Sequence, residues 1–164
     1  MENEPPRKPN ILVIGIGNAY RSDDAAGLMA VRRIKQQAAE FCSAVEHSGE
    51  GAALMELWKD ADSVIVIDAV QSGAAPGTVS RFDASLRPLP ASTFRSSTHA
   101  FSLLQAIELS RALQQLPCPL IVYGIEAQNF EAGTCLSPAV EVGVQTVVER
   151  VLQEISQTTL YSQT

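Results

Sequence analysis

Three nearly unbroken apolar stretches run through the chain: Ile11 to Ile16, Ser63 to Val70 and Leu120 to Ile125. Such runs suit strands covered on both faces, as in a parallel sheet between two helix layers. Ser43 to Ser48 reads as a shorter strand, and Thr78 to Phe82 alternates as an edge strand does. Between strands the period lengthens. From Ala25 to Phe41, Leu28, Val31 and Ile34 recur at helical spacing, with Arg32, Arg33 and Lys35 on other faces. Ala52 to Lys59 predicts a short helix carrying Leu54, Met55, Leu57 and Trp58. Ser97 or Thr98 can cap a helix running to about Gln115, with Phe101, Leu104, Ile107 and Leu113 inward, ended by Pro117 and Pro119. Ser137-Pro138 opens a last helix to about Ile155: Ser accepts from free N–H groups, and Pro loses nothing at the first helical position.

Strands alternate with helices and no long linker intervenes. The pattern predicts one α/β domain over residues 11–156, a mostly parallel twisted sheet with helices on both faces in three layers. Residues 1–10, with Pro5, Pro6 and Pro9 between charges, predict a disordered lead without the apolar core of a signal peptide. Residues 157–164 predict a flexible polar tail. Asp83 to Arg95, with Pro88 and Pro90, is expected to be irregular.

Composition narrows the class. The chain has 164 residues, 46% of them hydrophobic, enough for one self-sufficient core. The formal net charge is −6 and no Lys/Arg cluster follows one element, so nucleic acid and anionic membranes are poor partners. No apolar run approaches the ~20 residues of a membrane span. Cys42, Cys118 and Cys135 form no C-x-x-C pair and are odd in number, which points to a reducing cytoplasm.

In an open parallel sheet, sites form where strands end at their carboxyl edge. After the first strand come Gly15, Gly17 and Asn18, then Asp23-Asp24 at a helix start. Asp68 ends the second buried run, and His99 lies in the first turn of its helix. Two carboxylates and an imidazole suit nickel, zinc or a related divalent ion. Each has a simpler reading. Asp23 or Asp24 can cap a helix. Asp68 can bond a neighbouring loop, although burying an acid without a partner is costly. His99 can be an exposed helix-start residue. His47 reads as a bystander that tunes the charge of the cleft. Glu126 can bond a substrate backbone or hold a loop.

Absences limit the chemistry further. The sequence holds no H-E-x-x-H, no G-x-S-x-G, no Asp-Thr-Gly or Asp-Ser-Gly and no Walker pattern. Gly15-Ile16-Gly17 mimics the start of a dinucleotide fingerprint. But Tyr20 occupies the third glycine position, and the acid pair would repel a pyrophosphate. These glycines read instead as a tight turn that lets the loop approach a ligand or peptide.

Together these segments resemble the hydrogenase maturation proteases. Gly15-Ile16-Gly17-Asn18 with Asp23-Asp24 and Gly27 resembles the opening motif of that family, and Gly49-Glu50-Gly51 with Met55-Glu56-Leu57 its second loop and helix. Val66-Ile67-Asp68-Ala69-Val70 followed by Pro76-Gly77-Thr78, then Ser97-Thr98-His99, resemble the next two motifs. Gly124-Ile125-Glu126, and Gly133 through Leu136-Ser137-Pro138, resemble the closing ones. Each is weak alone, but their order over Ile11 to Leu152 is specific. The resemblance implies an endopeptidase that removes a C-terminal extension from a nickel–iron hydrogenase large-subunit precursor after nickel insertion. It selects Asp24 over Asp23, and implies that Asp24, Asp68 and His99 are the metal-binding and catalytic residues. Gly15, Gly17, Asn18, Asp23 and Glu126 then support the site. The nickel is implied to arrive with the substrate, in a site that zinc or cadmium can also occupy.

Three positions depart from the commoner family pattern. Ala25 and Ala127 stand where glycine and proline are frequent, and Glu50 where a small hydroxyl residue is usual. Glu50 adds negative charge near the cleft. Two routes to the attacking water stay open, activation by the metal or by a carboxylate of the aspartyl-protease kind. The competing functions are a nickel-sensing chaperone that binds the precursor without cutting it, and a nucleotide-binding module on Gly15 and Gly17. A transient protein partner requires no permanent oligomer, so a monomer or weak oligomer is expected.

Overall fold

The protein's structure, a computed structural model, describes residues 8–94 and 98–161; for residues 98–102 and 161 it describes the backbone alone. The elements in chain order are β1 (Ile11–Ile16), α1 (Ala26–Ala38), β2 (Ser43–His47), α2 (Gly51–Trp58), β3 (Ser63–Val70), β4 (Val79–Asp83), α3 (Thr98–Ala112), β5 (Leu120–Glu126) and α4 (Pro138–Tyr161). A 3-10 turn, Ser22–Ala25, precedes α1. The strands form one five-stranded sheet in the order β2-β1-β3-β5-β4, parallel except for β4, which pairs antiparallel with β5 at the edge.

The three apolar runs are the three inner strands, and every residue of β1, β3 and β5 is buried. Their continuity follows from two separate cores. Alternate residues Val13, Ile65, Ile67, Ile121, Tyr123 and Ile125 pack under α1 and α4. Leu12, Ile14, Ile16, Val64, Val66 and Val122 pack under α2 and α3, with Leu54, Trp58 and Leu103. Each fully buried aliphatic side chain contributes roughly 1.5–3 kcal/mol, so both faces of each inner strand are anchored. The edge strand β2 alternates in burial.

Boundaries depart from the hydrophobic pattern where local geometry intervenes. The first helix was expected over Ala25 to Phe41; α1 ends at Ala38, and Phe41 is exposed. Helix α3 ends at Ala112, and Gln114 turns back at φ 56°, which leaves Leu113 exposed instead of inward. Phe101, also expected inward, has its side chain outside the described residues. Helix α4 passes its expected end and takes in residues 157–161 of the supposed flexible tail. There the hydroxyls of Thr158 and Thr159 donate to the carbonyls of Glu154 and Ile155. The expected N-terminal lead falls outside the described residues up to residue 7, whereas Asn10 is held by Asp62 and by the carbonyl of Asp60.

Strand order reverses at β1, since β2 lies on one side of it and β3 on the other. The carboxyl ends of β1 and β3 therefore border the crevice in which α/β sheets hold their ligands.

Candidate active site

The turn after β1 is shaped by close packing. A Cβ on Gly15 would lie 2.2 Å from the carbonyl oxygen of Gly27, and one on Gly17 would lie 2.0 Å from that of Asp24. The glycines thus permit close approach, but to the chain's own turn and helix. The same packing accounts for the nucleotide-like spacing. Asn18 is exposed, and its Oδ1 accepts from the Tyr20 N–H at 2.9 Å.

Ser22 adopts φ 49°, a conformation unusual for a residue with a side chain. Its Oγ donates to the carbonyl of Glu131 and its N–H to that of Gly133, which hold it there. The strained residue starts the turn that carries both acids inward: Asp23 is 0% exposed and Asp24 1%. Neither acid stands at a cap position, since Arg21 and Ala25 fill those of the turn and of α1. Ala25 sits at φ −80°, so the departure from glycine there brings no strain.

The two neighbouring acids have different surroundings. Asp23 accepts four hydrogen bonds, from the N–H groups of Gln128, Asn129 and Ser137 and from the Ser137 hydroxyl. It ties the β1 loop to the β5–α4 loop. Ser137, expected to accept from α4, donates to Asp23. Replacement of Asp23 by Ala strands these donors in a buried place and is expected to lower stability by about 2–4 kcal/mol. Thermal denaturation checks this, with loss of activity in parallel as the two loops part.

Asp24 has a cation at its edge, Arg21 Nη1 at 3.9 Å from Oδ2. The turn packs against β3, whose Asp68 is 0% exposed. Asp68 alternates with Val64, Val66 and Val70, so it belongs to the face covered by α2 and α3. Its register partner is Gly124. A Cβ there would press on the Val70 methyls at 3.1 Å, so this position of the strand packs without a side chain. Helix α3 covers the same face, and its first turn carries His99 on the described backbone; the His99 side chain lies outside the described residues.

Glu126 is committed to a loop. Its carboxylate accepts from the N–H groups of Ser72 and Gly73 and from the Ser72 hydroxyl, fixing the β3–β4 connection. Glu50 caps α2 by accepting from Ala52 and Ala53, a local purpose for a residue expected to charge the cleft. Sequence patterns could not show the second anchor of Asp23, because Gln128 and Ser137 lie more than a hundred residues away.

Comparison with known proteins bears on this arrangement. The profile of a family described as hydrogenase maturation protease matches residues 30–154, a span that takes in Asp68 and His99. The hydrogenase 2 maturation protease of Escherichia coli K12 is 31% identical over 147 residues, covering 87% of this chain and 88% of that protein. The hydrogenase expression/formation protein HupD of Thiocapsa roseopersicina is 26% identical over 152 residues, 91% of this chain and 69% of that one. Among solved structures, the hydrogenase maturating endopeptidase HybD from E. coli superposes with a TM-score of 0.80 at 26% identity, covering 91% of this chain and 93% of its own. The NiFe hydrogenase maturation protease HybD from Thermococcus kodakarensis gives 0.73 at 25% identity, with 89% and 99% covered. With its buried acids gathered at the switch point of the same fold, this chain belongs to the hydrogenase maturation protease family and is a peptidase.

Proposed function

We propose that this endopeptidase removes the C-terminal extension of a nickel–iron hydrogenase large-subunit precursor that has already received its nickel. The observation that carries the reading is the division of labour among the acids. Asp23 and Glu126 hold loops, whereas Asp24 and Asp68 are buried toward the carboxyl ends of β1 and β3, and α3 packs on the face to which Asp68 belongs. Two carboxylates and the imidazole of His99 make a donor set for a divalent ion of the nickel or zinc kind. The ion belongs to the substrate, and Asp24, Asp68 and His99 grip it to place the scissile bond. Water beside the ion adds to the carbonyl carbon, and its proton passes through a carboxylate to the departing amine as the C–N bond breaks. In this reading zinc or cadmium binds the same three residues when nickel is absent.

The partner is the precursor, bound transiently in the cytoplasm by a monomer or weak oligomer of this enzyme. Among the described residues no helix is long and apolar enough to cross a membrane. Purified protein mixed with nickel-loaded precursor is expected to shorten the large subunit on a gel. The His99→Ala variant is expected to do so about 10²–10⁴-fold more slowly. Wild-type rates from that variant would remove His99 from the site. Binding without shortening by the wild type would favour a non-cleaving chaperone.

A further inference from the structure

His47 ends β2, at the same sheet edge as the acids. The neighbouring strand residues alternate: Ala44 belongs to the core under α1 and α4, Val45 to the one under α2 and α3. Two residues further on, His47 takes the face of Val45. Its register partner is Ile16, which lies in the core under α2 and α3. Across β1 the parallel register ends with Gly15 opposite Ile67, so the next step sets Asp68 level with Ile16. Asp68 is in turn opposite Gly124. His47, Ile16, Asp68 and Gly124 therefore form one row across one face of the sheet, at its carboxyl edge.

Two strand spacings, roughly 10 Å, separate His47 from Asp68. About three residues of extended peptide cover that distance. A substrate strand running along the carboxyl edge of the sheet past Gly17, above the buried Ile16 and with its scissile bond toward Asp68, reaches the imidazole. The tautomer of the ring suits such a contact. Its Nδ1 accepts from the Gly49 N–H at 2.9 Å, so in the neutral ring the proton is on Nε2. The ring is half-buried, and burial lowers its affinity for a second proton more than Glu50 raises it. The backbone carbonyl of His47 also accepts from Gly17 N–H, which joins this residue to the turn before the acids.

We infer that His47 is a substrate-positioning residue whose Nε2–H donates to a backbone carbonyl of the precursor about three residues from the scissile bond. This rests on the endopeptidase reading of the Asp24, Asp68 and His99 site. The competing role is purely local: the Nδ1 bond holds Gly49 at its φ of 90°.

Two amides separate the roles, because Asn places an acceptor near the position of Nδ1 and Gln a donor near that of Nε2. KM and kcat for nickel-loaded precursor are to be measured for wild type and for His47→Ala, His47→Gln and His47→Asn. The expected result for Ala is a KM raised about 3–10-fold, the worth of one hydrogen bond, with kcat within about twofold of wild type. Gln restores KM and Asn does not. Unchanged KM in the Ala variant, or rescue by Asn but not Gln, overturns the inference. Should the wild type bind the precursor without cutting it, the endopeptidase reading falls, and the same comparison read as Kd still decides the role of His47.

Discussion

Replacement of Asp68 by Asn is expected to abolish precursor processing while leaving the fold intact. The substitution keeps the shape of the side chain and removes its charge. Asp68 is wholly buried on a strand face otherwise filled by Val64, Val66 and Val70. Asn keeps the volume of the side chain and one of its acceptor oxygens, so packing and a hydrogen bond to that oxygen are retained. The site, in the reading proposed above, depends on that charge both to grip the ion and to move the proton of the attacking water. Rates of large-subunit shortening should fall by about 10²–10⁴-fold, the usual contribution of a general base. The melting temperature should stay within a few degrees of wild type, about 3 °C. A variant that cuts at the normal rate would show that Asp68 is there for packing alone.

The second large effect is structural. Gly27→Ala is expected to cost about 3 kcal/mol or more, at the upper end of overpacking. A Cβ at Gly27 would lie 2.4 Å from the carbonyl oxygens of both Ile16 and Ile67. These are backbone atoms of β1 and β3, which the sheet holds in register and which cannot yield as a flexible side chain can. Helix α1 must therefore lift from the sheet. For a domain of this size the melting temperature should drop by roughly 6–12 °C, at about 2–4 °C for each kcal/mol. Activity should fall further than stability alone explains, because the turn carrying Asp24 runs directly into α1. Unaltered thermal stability in Gly27→Ala would mean that α1 is not seated on the sheet as closely as described. Residual activity measured well below the melting temperature separates displacement of Asp24 from simple unfolding.

Much of this protein follows from the order of its residues. The apolar runs Ile11 to Ile16, Ser63 to Val70 and Leu120 to Ile125 can be buried on both faces only between two helix layers, so the layer architecture is implied by composition along the chain. Asp68 and the acid pair at 23–24 are polar residues at the ends of apolar strands, and are legible as site candidates for that reason. Helix ends were less legible. They depend on single backbone angles, such as that of Gln114, and on hydroxyl bonds within α4 that leave no mark on hydrophobic periodicity.

What only tertiary structure decides is which polar residue serves which purpose. Asp23 and Asp24 are adjacent and chemically identical. Their surroundings part because the loop at 128–137 folds back over the Asp23 carboxylate and gives it four donors. Glu126 is likewise taken by Ser72 and Gly73, and Glu50 by the start of α2. His47 joins Asp68 in one row because parallel register aligns strands from distant parts of the chain. Hydrophobic order is a local property and can be read residue by residue. Hydrogen-bond partners and strand register are set by distant segments meeting, and that meeting separates the buried acids that hold loops from those placed at the crevice.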